Sequence, residues 1–196
     1  MGSEMCIRDS DRGEYEEALV LYEEAVAGFI EVHGQDHPLV ATSYNIGVVH
    51  ENLADFEKAL FHHEKALEIR TRVVGQDHPD VATSYNNMAI VYNSQGRYQE
   101  ALDYYQKALQ IFQEVHGNDH LDVAASYNNI GNVYYSQGKY DDALDYYQKS
   151  LKIKITAVGS DHLDVAASYT NIGSVYYSQG KYDDCLLYTS PSPRDS

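Results

Sequence analysis

Residues 124–165 read AASYNNIGNVYYSQGKYDDALDYYQKSLKIKITAVGSDHLDV, and the stretch before them, residues 82–123, reads ATSYNNMAIVYNSQGRYQEALDYYQKALQIFQEVHGNDHLDV. The two agree at most positions, and a third start, AASYTNIGSVYYSQGKYDD, follows at residues 166–184. The period is 42 residues in both steps, 124 − 82 and 166 − 124. A weaker copy occupies residues 41–81, and residues 13–40, GEYEEALVLYEEAVAGFIEVHGQDHPLV, match only the second half of the unit. Self-similarity at a fixed period of this size marks supersecondary units that bury their apolar faces by stacking on one another.

Each unit reads as two helices. In the first, Tyr85, Met88, Ala89 and Tyr92 recur at steps of three and four, which places them on one helical face. Gln95-Gly96 then offers a residue that tolerates positive φ and stops the helix. The second helix repeats the spacing with Tyr98, Ala101, Leu102, Tyr105, Ala108, Leu109 and Phe112. A polar loop, Gly117-Asn118-Asp119-His120, follows, in which Asp119 or His120 is placed to cap the next helix. Pro38 and Pro79 stand in the earlier copies where a first-turn proline is tolerated. Ala89, Gly131 and Ala101 let the two helices approach closely while tyrosines fill the next layer.

Tyr85, Met88, Ala89, Tyr92, Ala101, Tyr105 and Ala108 together resemble the pattern of the tetratricopeptide repeat, and the set returns as Tyr127, Ile130, Gly131, Tyr134, Ala143, Tyr147 and Ser150. The 42-residue unit, longer than the usual ~34, and the loop Gly-x-Asp-His-Pro/Leu-x-Val-Ala are similar to the kinesin light chain and nephrocystin branch. The resemblance implies an all-α fold, an α-solenoid of stacked antiparallel helix hairpins wound as a right-handed superhelix. The expected organisation is a repeat array over 13–186, made of a half repeat at 13–40, repeats at 41–81, 82–123 and 124–165, and a partial repeat at 166–186.

The register carries one defect. Asn129, Asn87 and Asn45 are 42 apart, but Tyr85 and Tyr44 are 41 apart, so one residue is missing between His37 and Asn45. Ser43 then falls where other copies place a core tyrosine, and Tyr44 falls where they place Asn86. A looser or shifted first turn is expected there. Both ends depart from the repeat: LYTSPSPRDS replaces the expected DYYQKSLKIK, and SEMCIRDS stands where a first helix should be. Segments 1–12 and 187–196 resemble translated adaptor read-through and are expected to be non-native or disordered, flanking a fragment of a longer repeat protein.

Charge narrows the partners. Fourteen Lys and Arg against 30 Asp and Glu give −16 over 196 residues, with no basic block. Such a surface repels phosphate backbones, so neither nucleic acid nor an anionic membrane is expected as a partner. Glu14, Glu16, Glu17, Asp141, Asp142 and Asp145 lie on the outer side of second helices as a solvated acidic face. Two cysteines, Cys6 and Cys185, supply neither a disulfide framework nor a zinc ligand set, which fits a reducing, cytoplasmic compartment.

Catalytic chemistry finds no support. The sequence has no glycine-rich phosphate loop and no nucleophile elbow, so an enzyme and a small-molecule substrate are not expected. His33 with His37, and His116 with His120, are spaced for a metal on a helix, but the intervening Gly-x-Asp straddles a helix end. Val74 and Val158 replace the first histidine in other copies. Capping is the expected role, with no metal and no cofactor. The adjacent His62 and His63 are expected at the surface.

The inner face of the first helices is where a ligand is expected. It carries Asn45, Asn86, Asn87, Asn128, Asn129, Asn132, Tyr135, Asn171 and Tyr177, with Asn45, Asn87, Asn129 and Asn171 at constant spacing. Amides both donate and accept, so such a ladder can pair with the backbone of an extended peptide, or with neighbouring helices. In related arrays this asparagine position binds peptides, which is what the resemblance implies. The Lys and Arg of the family's carboxylate clamp have no counterpart here, so a neutral to mildly basic peptide or protein segment is the expected partner. A protein-interaction scaffold is the leading expectation; the alternative is a sensor or regulatory arm of a larger signalling NTPase or other multidomain enzyme.

Overall fold

The computed structural model describes residues 9–34 and 43–181. Among the described residues there are eight helices and no strand, an all-α fold of the α-solenoid class. The chain divides into two compact units, residues 1–97 and 98–196. The first holds α1 (Asp9–His33), α2 (Ser43–Asn52), α3 (Phe56–Val74) and α4 (Pro79–Ser94); the second holds α5 (Tyr98–His116), α6 (Leu121–Ser136), α7 (Tyr140–Val158) and α8 (Leu163–Ser178). The helix α1 begins at Asp9, inside the stretch read from sequence as lying outside the array. Residues 1–8, Cys6 among them, and 182–196, with Cys185, lie outside the described residues, as do His37 and Pro38.

Core positions recur at the sequence period. Ile46 and Met88 in the first unit and Ile130 and Ile172 in the second are buried, each 42 residues from the next. Within the second unit α6 and α7 form the close hairpin, because Gly131 leaves room for the Tyr147 ring: a Cβ there would stand 2.7 Å from Tyr147 Cε1. The Tyr147 hydroxyl donates to Asn132 Oδ1 at 2.7 Å, which fixes the ring. Burial, with a smaller contribution from Tyr135, pushes its pKa up to about 12.

Helix ends follow simple rules. Gly96, Gly138 and Gly180 adopt φ of 73°, 72° and 72° just beyond α4, α6 and α8. At the corresponding place after α2 stands Ala54, at φ 57°, the one non-glycine residue with positive φ among those described. The caps at the other end are histidines. The Nδ1 atoms of His78, His120 and His162 accept the backbone N–H of Asp80, Asp122 and Asp164 at 3.1, 3.2 and 3.1 Å. Of the two cap candidates in the loop, His120 takes the role and Asp119 does not.

Consecutive repeats are tied by half-buried cations. Arg70 of α3 donates to Ser84 Oγ at 2.8 Å in α4, and Lys154 of α7 donates to Ser168 Oγ at 3.0 Å in α8. Burial lowers the pKa of both cations. The serines are buried and also bond back to the carbonyls of Asp80 and Asp164, so each hydroxyl is fully used.

Candidate functional site

The expected ligand face is best defined in the second unit, where α6 and α8 lie side by side. Asn171 Nδ2 donates to Asn128 Oδ1 at 2.8 Å, and the hydroxyls of Tyr135 and Ser178 are 2.9 Å apart. Both contacts join residues 43 apart, one position off the repeat period. Asn171 is therefore spent on a rung between neighbouring helices and is not a free amide. Asn132 is committed inside the hairpin to Tyr147. Asn129 is half-buried on the same helix, and Tyr177 stands 68% exposed at the end of α8. Apart from Asp122 and Asp164 in the first turns, α6 and α8 carry no charged residue.

The first unit breaks the pattern. Asn87 is the counterpart of Asn171, yet its Nδ2 is buried with no hydrogen-bond partner, as is Asn86 Oδ1. Counting back 43 residues from Asn87 leads to Tyr44, which the one-residue deletion has placed where an asparagine would stand. Tyr44 instead lies beneath the Arg70 guanidinium, 5.3 Å from its ring centre, and beside His63. Ser43 has dropped into the tyrosine place, 5% exposed and with its hydroxyl unpartnered. Asn45 is half-buried on the same turn. The chain between Gly34 and Ser43, where the looser turn was expected, lies outside the described residues.

A second departure was missed in the sequence. His63, expected at the surface, is only 1% exposed and its Nε2 lies 2.5 Å from Glu51 Oε1. It fills the tyrosine slot of the hairpin: a Cβ on Gly47 would stand 2.6 Å from its Cε1, as one on Gly131 would meet Tyr147. His50, also buried, stacks on His62 at 5.7 Å between centroids. Desolvation lowers the pKa of His62 to about 4, helped by His50 and Lys65, and desolvation also lowers that of His50. Subtracting 84 from Tyr134, Tyr146 and Tyr147 gives His50, His62 and His63, and that subtraction was the signal available.

The acidic residues named from sequence, Glu14, Glu16, Glu17, Asp141, Asp142 and Asp145, are all exposed. No helix among the described residues is long and apolar enough to cross a membrane.

The tetratricopeptide repeat family model matches residues 10–71, 39–113, 80–156 and 129–186. The chain belongs to the tetratricopeptide repeat family. This repeat array is similar in structure to BtubC (BKLC) from P. vanneervenii, with a TM-score of 0.77 and 26% identity over 95% of this chain and 80% of that one. It is also similar to a Podosopora anserina putative kinesin light chain with nearly identical TPR-like repeats, with a TM-score of 0.71 and 20% identity over 90% and 84% of the two chains. A Rap protein complexed with Competence and Sporulation Factor shares the fold at a TM-score of 0.74 and 17% identity, over 92% of this tetratricopeptide chain and 48% of that one. Among curated proteins nothing matches. A tetratricopeptide fold fits protein–protein interaction.

Proposed function

We propose that the first-helix face of the second unit binds an extended segment of a partner protein, neutral to mildly basic in charge. The observation that carries this reading is the pairing of α6 and α8 through Asn171–Asn128 and Tyr135–Ser178, which holds polar side chains in register beside the exposed Tyr177. Prearranged amides cost little further ordering when a peptide backbone arrives, and a tyrosine supplies apolar area with few rotors to freeze. With Asp122 and Asp164 as the only charges on the two helices, a carboxylate finds no counter-ion there, while a lysine meets no repulsion. The Rap protein, whose solved form holds Competence and Sporulation Factor, supports ligand binding by this fold and goes no further.

The test is fluorescence anisotropy of two labelled peptides of equal length, one rich in Asp and Glu and one carrying Lys among apolar residues. The basic peptide should bind more tightly, and Tyr177→Ala and Asn129→Ala should weaken it with the helical content unchanged. Tighter binding of the acidic peptide, or indifference to both substitutions, rejects the proposal.

A further inference from the structure

Spacing alone argues against a metal at His116 and His120, because the pair straddles a helix end. They do straddle it: His116 is the last residue of α5 and His120 is the cap of α6. The loop between them, however, folds back on itself and brings the two rings to 4.3 Å between centroids, 24° from parallel. Asp122 joins them from the first turn of α6. Its Oδ2 lies 3.5 Å from His116 Nε2 and 3.2 Å from His120 Nδ1, and the three ligand atoms all lie within 4.8 Å of one another. Four ligands at ~2.05 Å around a tetrahedral ion stand about 3.3 Å apart along each edge, so two of the three edges already have the length a divalent ion needs. The buried Phe112 stacks on the His116 ring from the helix side, 19° from parallel, which limits where that ring turns.

The other copies act as internal controls. His78 with Asp80 and His162 with Asp164 repeat the cap pair at 3.6 and 3.5 Å, but Val74 and Val158 stand where His116 would be. In the first copy His33 and His37 are both present, but Leu39 replaces the aspartate. The full set of two imidazoles and a carboxylate thus occurs at one loop. The cap explains His120, which recurs in every copy; it does not explain His116.

We propose that His116, His120 and Asp122 form a solvent-open site for a borderline divalent transition-metal ion of the zinc, cobalt or nickel type. Two neutral imidazoles and one carboxylate suit that class, and water completes the shell at the exposed side. A net charge of −16 raises the local concentration of any cation around the chain. Coordination through His120 Nδ1 displaces the 3.2 Å bond from Asp122 N–H, so the ion competes with the cap and the site is of moderate affinity, not a folding requirement. Bound metal would pin the end of α5 to the start of α6 within the second unit.

Cobalt(II) is the probe, titrated into the full chain with Cys6 and Cys185 alkylated and visible d–d absorption as the readout. One equivalent should bind, and His116→Val, which installs the residue found in two other copies, should raise the Kd at least tenfold with the far-UV spectrum unchanged. Val158→His, which completes the set with His162 and Asp164, should add a second equivalent. Failure of the unaltered chain to bind, a Kd within threefold after His116→Val, or a single equivalent in the Val158→His chain overturns the assignment.

Discussion

Asn87 and Asn171 occupy the same repeat position, both half-buried on a first helix, yet replacing each by alanine should change stability in opposite directions. Asn171 donates to Asn128 Oδ1 at 2.8 Å, whereas the Nδ2 of Asn87 is buried without a partner because Tyr44 stands in the acceptor's place. Asn→Ala gains ~0.5 kcal/mol of helix propensity at either site. At Asn171 that gain is outweighed by the lost bond, ~1 kcal/mol, and by the acceptor left on Asn128, which costs about 1 more. At Asn87 nothing is lost and a desolvated N–H group disappears, which returns about 1 kcal/mol to the folded state. Asn171→Ala should therefore cost about 1.5 kcal/mol and Asn87→Ala should gain about 1.5, a separation of ~3 kcal/mol, or about 6–12 °C in Tm for a chain of this size. Urea and thermal unfolding followed by circular dichroism measure both. A double-mutant cycle of Asn128→Ala with Asn171→Ala should return a coupling of ~1 kcal/mol. Equal shifts of the same sign for Asn87→Ala and Asn171→Ala would show that the rung contributes nothing and that the deletion at Tyr44 has no energetic trace.

Three other outcomes follow from the same comparison of copies. Ala54→Gly should stabilise by ~0.5–1 kcal/mol, because the left-handed conformation at φ 57° costs alanine about 1–2 kcal/mol and glycine's extra unfolded-state entropy returns less than that; Gly138→Ala, at φ 72°, should lose a similar amount, and thermal melts of the pair check the signs. Gly131→Ala should destabilise by ~1 kcal/mol in a urea titration, since overpacking against a ring anchored at Asn132 costs about 1–3 and helix propensity gives back ~1. Stability should fall on acidification between pH ~6.5 and 4, the folded pKa of His62: burial holds His62 and His50 below the unfolded value, so the unfolded chain takes up protons first. Replacing both by tyrosine, as at Tyr146 and Tyr134, should flatten that dependence in melts across the range.

The period and the alternation of large and small residues made the fold readable, because a repeat states the same packing problem several times and its answers can be compared. Ile46, Met88, Ile130 and Ile172 were legible as core for that reason. The ligand face was legible only as a set of residue types. A helical wheel shows which amides share a face but not whether two neighbouring helices approach closely enough to spend them on each other, as Asn171 and Asn128 do. The burial of His63 escaped a local reading, since two adjacent histidines on a helix rich in charged residues look solvated. Its environment is set by Gly47, sixteen residues away in sequence, whose missing Cβ is what admits the ring.

Residues that depart from the repeat in some copies carry the most information about what this array does beyond standing up. A residue repeated in every copy satisfies the stacking geometry, so its presence says little about a ligand: His120 recurs because a helix start needs an acceptor, and Ser126 and Ser168 recur because a buried hydroxyl can return to its own helix. A residue found in only some copies has no such reason. In the first unit the exceptional residues, His50, His62, His63 and Ala54, replace tyrosines and a glycine at sites that remain packed, and the price appears as unpartnered ring nitrogens and a strained φ. In the second unit the exception is His116, whose place holds valine in the copies on either side and histidine again at His33; it stacks on Phe112 and turns its ring nitrogen toward the Asp122 carboxylate. An array that tolerates buried defects in one unit yet places an extra imidazole beside an existing His–Asp pair in the other has its unexplained chemistry at the α5–α6 turn.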